Sequence, residues 1–133
     1  MLIGMSAAIV QGVMETTLDA VFWIDLPPRQ YMRVQNIARA AGCAVGASTV
    51  VYTLDGTPVN FVFGEVGGLG SFKQESKHAK KMFFRGNKIP VLKLERILKS
   101  KETIRRDKDL AHIIQIRELL RCRRALKSKA KNK

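Results

Sequence analysis

The chain has 133 residues, enough for one domain with a hydrophobic core, and its 46% hydrophobic and 26% charged content is that of a globular protein. Two cysteines, Cys43 and Cys122, and two histidines, His78 and His112, exclude a disulfide scaffold and offer no zinc-ligand spacing, so reduced thiols in the cytoplasm are expected. The net charge of +13 is unevenly placed: residues 1–70 carry three arginines against five acids, and residues 71–133 carry 21 Lys or Arg against six acids, a split that points to nucleic acid or another polyanion, with a merely solvated basic tail as the alternative.

The apolar opening, Met1 to Met14, is shorter than the roughly 20 residues of a membrane span and has no positive leader, so no membrane partner is expected. Residues 5–14 read instead as a short buried helix. Gly4, Met5 and Ser6 lie at its start, where backbone N–H groups can face an anion. Ala20 to Ile24, bounded by Asp19 and Asp25, reads as a buried strand. Pro27 and Pro28 open a helix that ends at Gly42, with Tyr31, Val34, Ile37, Ala38 and Ala41 on one face.

Ser48–Thr53 and Pro58–Phe63 are strand candidates around Asp55 and Gly56, a strong hairpin signal. The stretch Gly64–Gly70 reads as a flexible connector, because no Lys-Ser or Lys-Thr follows to make it a phosphate loop. Residues 71–83 suit a helix whose lysines, Lys73, Lys77, Lys80 and Lys81, would share an arc of roughly 100°. Such an arc fits a phosphate-contacting face or a solvated one.

A strand at Ile89–Leu92 and a helix over 94–103 come next. In that helix Lys101 shares the apolar stripe of Leu94, Ile97 and Leu98, so it must snorkel, meet a carboxylate or reach into a cleft. Arg105, Arg106, Asp107, Lys108 and Asp109 form a dense charged joint. A last helix is expected from about Asp107, as its N-cap, to Arg124. Residues 125–133 hold little to pack and are expected to be a disordered basic tail beyond a single domain spanning 1–124. The element order predicts a mixed α/β (α+β) domain that is not doubly wound, since the hairpin interrupts the alternation.

Two blocks carry a family resemblance. The run Leu2-Ile3-Gly4-Met5-Ser6-Ala7-Ala8, followed by Gly12 and by Thr16 to Asp25, resembles the entry motif of nucleotidyltransferase-fold proteins. Leu94 to Lys101, followed by Arg106-Asp107-Lys108-Asp109-Leu110-Ala111-His112, is similar to the lysine–aspartate block of minimal nucleotidyltransferases, including those of abortive-infection and toxin–antitoxin systems. The resemblance spans roughly residues 2–120. It implies a nucleotidyltransferase-like mixed sheet flanked by helices, with a C-terminal helix and basic tail.

It also implies transfer of a nucleotide from a nucleoside triphosphate to an acceptor hydroxyl, on tRNA or another RNA in some members, with Mg²⁺ held by carboxylates. Carried over by position, Gly4 and Ser6 would contact triphosphate, Asp19 would hold metal, Lys101 would neutralise phosphate charge, and Asp109 would orient Lys101 or assist the acceptor. Three positions depart from the pattern. Met5 stands second in the entry motif, where a glycine or serine is usual. Val21 stands where a second acid is usual, and Asn60 where a third is.

A valine cannot ligate metal, and an asparagine is a poor replacement for a carboxylate around Mg²⁺. Three readings follow. The first is a degenerate relative that binds nucleotide or RNA with impaired or absent catalysis. The second is an active Mg²⁺-dependent transferase using Asp19, Lys101 and Asp109. The third is a basic nucleic-acid-binding or toxin–antitoxin interaction protein, with an antitoxin as a protein partner and no nucleotide site. Lys73, Lys77, Lys80, Lys81, Arg105 and Arg106 are the nucleic-acid-binding candidates.

Overall fold

The computed structural model describes residues 1–131. Its elements are β1 (Leu2–Ile3), α1 (Gly4–Val10), β2 (Ala20–Ile24), a 3₁₀ turn at Pro28–Gln30, α2 (Tyr31–Ala40), β3 (Ala44–Val45), β4 (Val50–Tyr52), β5 (Pro58–Phe63), α3 (Phe72–Ser76), β6 (Lys80–Phe84), β7 (Asn87–Val91), α4 (Leu94–Ile104) and α5 (Asp109–Lys131). Seven strands form one mixed sheet in the order β3-β4-β5-β2-β1-β7-β6. The sheet is flanked by helices, which is the mixed α+β class that the sequence predicts.

The centre of the sheet positions everything else. β2 runs parallel to β5 and pairs Val21 with Asn60 and Trp23 with Val62. β1 lies antiparallel to β2, with Ile3 opposite Val21, and parallel to β7. Side chains alternate along a strand, so Ile3, Val21, Asn60 and Val62 fall on one face. On that face Trp23 is 1% exposed, packs edge-on against Phe72 and donates its indole N–H to the Gly64 carbonyl at 2.8 Å. Ala7 and Ala8 of α1, Leu94 and Ile97 of α4, and Ile116 and Leu120 of α5 complete the core.

Several expectations need correction. The helix expected over 71–83 stops early. Ser71 and Gln74 form a reciprocal capping box that starts α3, but the chain then turns into β6. β6 pairs with β7 through a tight turn at Arg85 and Gly86, both at positive φ, and this pairing overrides the helical pattern. Lys73, Lys77, Lys80 and Lys81 therefore share no helical arc: Lys73 lies on α3, Lys77 just past it, and Lys80 and Lys81 on opposite faces of an edge strand.

In α2 the buried positions are Gln35 and Ala38, while Ile37 is 71% exposed. The Gln35 amide donates to the Ser48 carbonyl, which turns that face inward. α5 does not end at Arg124. It continues to Lys131, so residues 125–131 are helical rather than a disordered tail, and the rest of that tail lies outside the described residues. Leucine, alanine, lysine and arginine are strong helix formers, and they extend a helix already nucleated and packed by Ile113, Ile116 and Leu120.

Candidate functional site

A cavity of about 390 Å³ opens between the central strands and the α4–α5 joint. Gly4, Asp19, Lys101 and Asp109, separated by up to 105 positions, all line it. Val21 and Asn60 line it too, side by side in the sheet, with Val62, Val66 and Leu69 forming apolar wall. Arg106, Lys108 and His112 add polar lining.

Lys101 points inward: it is 8% exposed, in the last turn of α4, at the end of the buried face formed by Leu94, Ile97 and Ser100. Its Nζ donates to Asp109 Oδ1 at 3.1 Å and lies 3.5 Å from His112 Nδ1. Asp109, 1% exposed, also accepts from Arg106 Nε at 2.9 Å and from the Arg106 backbone N–H at 3.2 Å. Burial opposes ionisation of this carboxyl, but the hydrogen bonds from Arg106 and Lys101 and the Lys101 charge outweigh it and hold its pKa well below the usual carboxylate range. The side chain that closes the α5 entrance is therefore Asp109, gripping Arg106 three residues back.

Burial and the adjacent Lys101 ammonium push the His112 imidazole below its ordinary pKa, so it is neutral at pH 7. A neutral ring can accept at Nδ1. The ammonium of Lys101 has three donors, and with one on Asp109 and one toward His112, a third is left for a ligand. Lys108 at the rim is exposed and forms no ion pair among the described residues.

Asp19 lies at the entrance to β2, half-buried, with the Thr17 hydroxyl 3.3 Å from its Oδ1. It is the one cavity carboxylate not held by a cation among the described residues. No group of three His, Cys, Asp or Glu side chains there could hold a metal ion. The donor set of Asp19, Asn60 and a valine does not fit a two-metal carboxylate centre.

Ser6 is placed otherwise than expected. Its hydroxyl donates to the Ile3 carbonyl at 2.8 Å and accepts from the Val21 N–H at 3.1 Å, so it is committed to joining α1 to β2. Gly4, at φ +63, makes the sharp turn from β1 into α1, a conformation that favours glycine. The glycine stretch 64–70 is no loose connector: Ser100 Oγ donates to the Gly67 carbonyl at 2.7 Å, and Val66 and Leu69 serve as cavity wall. Of the nucleic-acid candidates only Arg106 reaches the cavity; Arg105 turns the chain out of α4 at φ +48 and is exposed.

Sequence reasoning passes over His112, Lys108 and the loop residues Val66 and Leu69 as cavity residues. His112 stands three positions past Asp109, one helical turn away, and that spacing is the available signal. It also misses the pair that braces α4, in which Arg96 binds the buried Glu75 through Nε at 2.7 Å and Nη2 at 2.8 Å. No family model, curated protein or solved structure matches the chain, so the site is read from its own geometry.

Proposed function

We propose that the chain is a nucleotidyltransferase-like protein that binds a nucleotide, free or as the end of an RNA, in this cavity, with impaired or absent catalysis. The observation that carries the reading is the convergence of Gly4, Asp19, Lys101 and Asp109 on one cavity whose two neighbouring wall positions are Val21 and Asn60. Lys101 offers an unused donor to phosphate, and Arg106 and Lys108 add positive charge at the rim. Apolar wall from Val62, Val66 and Leu69 suits the ring of a base or sugar. An active Mg²⁺-dependent transferase would need acids that Val21 and Asn60 do not supply.

The two free cysteines, Cys43 and Cys122, are consistent with a reducing, cytoplasmic setting, and no described helix is long and apolar enough to cross a membrane. Calorimetric titration with ATP, CTP, GTP and UTP, each with and without Mg²⁺, tests the reading. Saturable binding of one of them, weakened at least tenfold by Lys108→Ala, is expected. Absence of binding to all four would refute it.

A further inference from the structure

A second concave surface lies at the other end of α5. It is a groove of about 500 Å³ whose lining includes Lys80 from β6, Lys93 at the start of α4, and Arg123, Arg124 and Lys127 from α5. Three separate elements thus bring five cations to one concavity. Among the described residues Glu95 is its single acid. None of the five cations joins an ion pair among the described residues, whereas Arg96, Lys101, Arg106, Arg117 and Arg121 all do. Arg123 donates to the Gln11 carbonyl, and Gln11 in turn donates to the Leu92 carbonyl at 2.8 Å, which anchors the groove floor to the core. Lys131, four residues past Lys127, continues the basic stripe along the same face of α5.

Uncompensated like charges crowded into a groove repel one another and raise the local positive potential. Such an arrangement is stabilised by a chain of anions. We infer that this groove is a docking track for the phosphate backbone of a nucleic acid, separate from the cavity at the α4–α5 joint. Asp109 and Arg124 are 15 residues apart on α5, about 22 Å along the axis, so the two sites are distinct. An acidic protein partner would call for an apolar interface centre, and an anionic membrane would call for an apolar helix face. The exposed part of α5 beyond Leu120 offers only Leu126 as a large apolar side chain. Among the described residues no aromatic side chain lines the groove, so contact runs through phosphates and is independent of base sequence.

The test is fluorescence anisotropy of the full chain with a labelled 20-nucleotide single-stranded RNA of mixed sequence, over a salt series. About five phosphate contacts predict a slope of log K against log salt near −3.5, hence roughly a hundredfold loss between 50 and 200 mM salt. The triple variant Lys80→Gln, Arg124→Gln and Lys127→Gln changes exposed side chains only, with circular dichroism as the check on folding. It should flatten the slope by about 2 and leave nucleotide binding in the cavity intact. The pair Lys80→Arg and Lys127→Arg should bind as the parent does. Unchanged RNA binding in the triple variant would overturn the inference. So would an equal loss from Lys73→Gln, Lys77→Gln and Lys81→Gln, which would make binding a matter of net charge. Tighter binding to phosphatidylserine vesicles than to RNA at the same salt would also overturn it.

Discussion

Replacing Asp109 with asparagine should strike the most deeply buried charge among the described residues. The carboxylate is 1% exposed and receives Lys101, the Arg106 guanidinium and the Arg106 backbone N–H. Asp109→Asn keeps the shape of the side chain but leaves the Lys101 ammonium, on a side chain 10% exposed, without a counter-charge. Removing one partner of a buried ion pair costs about 3–5 kcal/mol, and the lower end applies here because Arg106 is half exposed and the cavity admits water. Unfolding entropy near 2.1 cal/mol/K per residue gives about 0.28 kcal/mol/K for this chain, so a loss of about 3 kcal/mol lowers Tm by roughly 10 °C. Lys101→Met should cost less, because Asp109 keeps its three contacts with Arg106. Thermal unfolding followed by circular dichroism measures both variants. An Asp109→Asn protein melting within about 3 °C of the parent, or Lys101→Met melting lower than Asp109→Asn, would refute the reasoning.

The Asp109 carboxyl has a folded pKa below its ordinary value of 3.8, so its contribution is full above that value and fades as pH falls beneath it; Asp109→Asn should show a flatter loss of stability between pH 5 and 2 in denaturant titrations. His112 is held neutral, so folding loses stability as pH falls below the ordinary histidine value of 6.5, and the ring's NMR titration midpoint should lie under 6.5; a midpoint above it would contradict the placement beside Lys101. Val21→Asp together with Asn60→Asp should create a divalent-cation site with Asp19, seen as Mn²⁺ binding that the parent lacks, and equal Mn²⁺ binding by both proteins would show that the missing acids are not what disables the site. Gly68→Ala, at φ +78 with Thr103 Oγ1 2.5 Å from the added Cβ, should lower stability by about 1 kcal/mol or more in urea unfolding; an unchanged midpoint would mean the loop does not pack on α4 as described.

Much of the sheet is legible in the sequence because its signals are local. β2 and β5 have the bounds their β-branched and aromatic runs suggest, and Asp55 with Gly56 does join β4 to β5. That Lys101 lies on the apolar stripe is also legible, but near a helix end the stripe does not separate snorkelling from a buried carboxylate, and Asp109, eight residues on, is what decides it. β6 is not, because Lys80 to Phe84 satisfies a helical pattern as well as an alternating one, and only the partner strand β7 decides between them. Ser6 looks like a ligand contact because its position fits a motif, but its hydroxyl is spent on Ile3 and Val21, a contact across 15 residues that no local pattern encodes. Glu75 and Arg96 lie 21 residues apart and are invisible for the same reason. The basic groove depends on three elements meeting in space, so its cations read along the chain only as an excess of charge.

The most direct test of the central claim is a backbone-amide NMR titration of the full chain with the nucleoside triphosphate that binds best in calorimetry. The account predicts saturable shifts clustered on cavity residues, with Gly4, Val21, Asn60 and His112 among the largest, and little change at Lys93 or Lys127. Shifts confined to Lys93, Arg124 and Lys127, or no saturable shift at any residue, would contradict it and leave the cavity without a nucleotide.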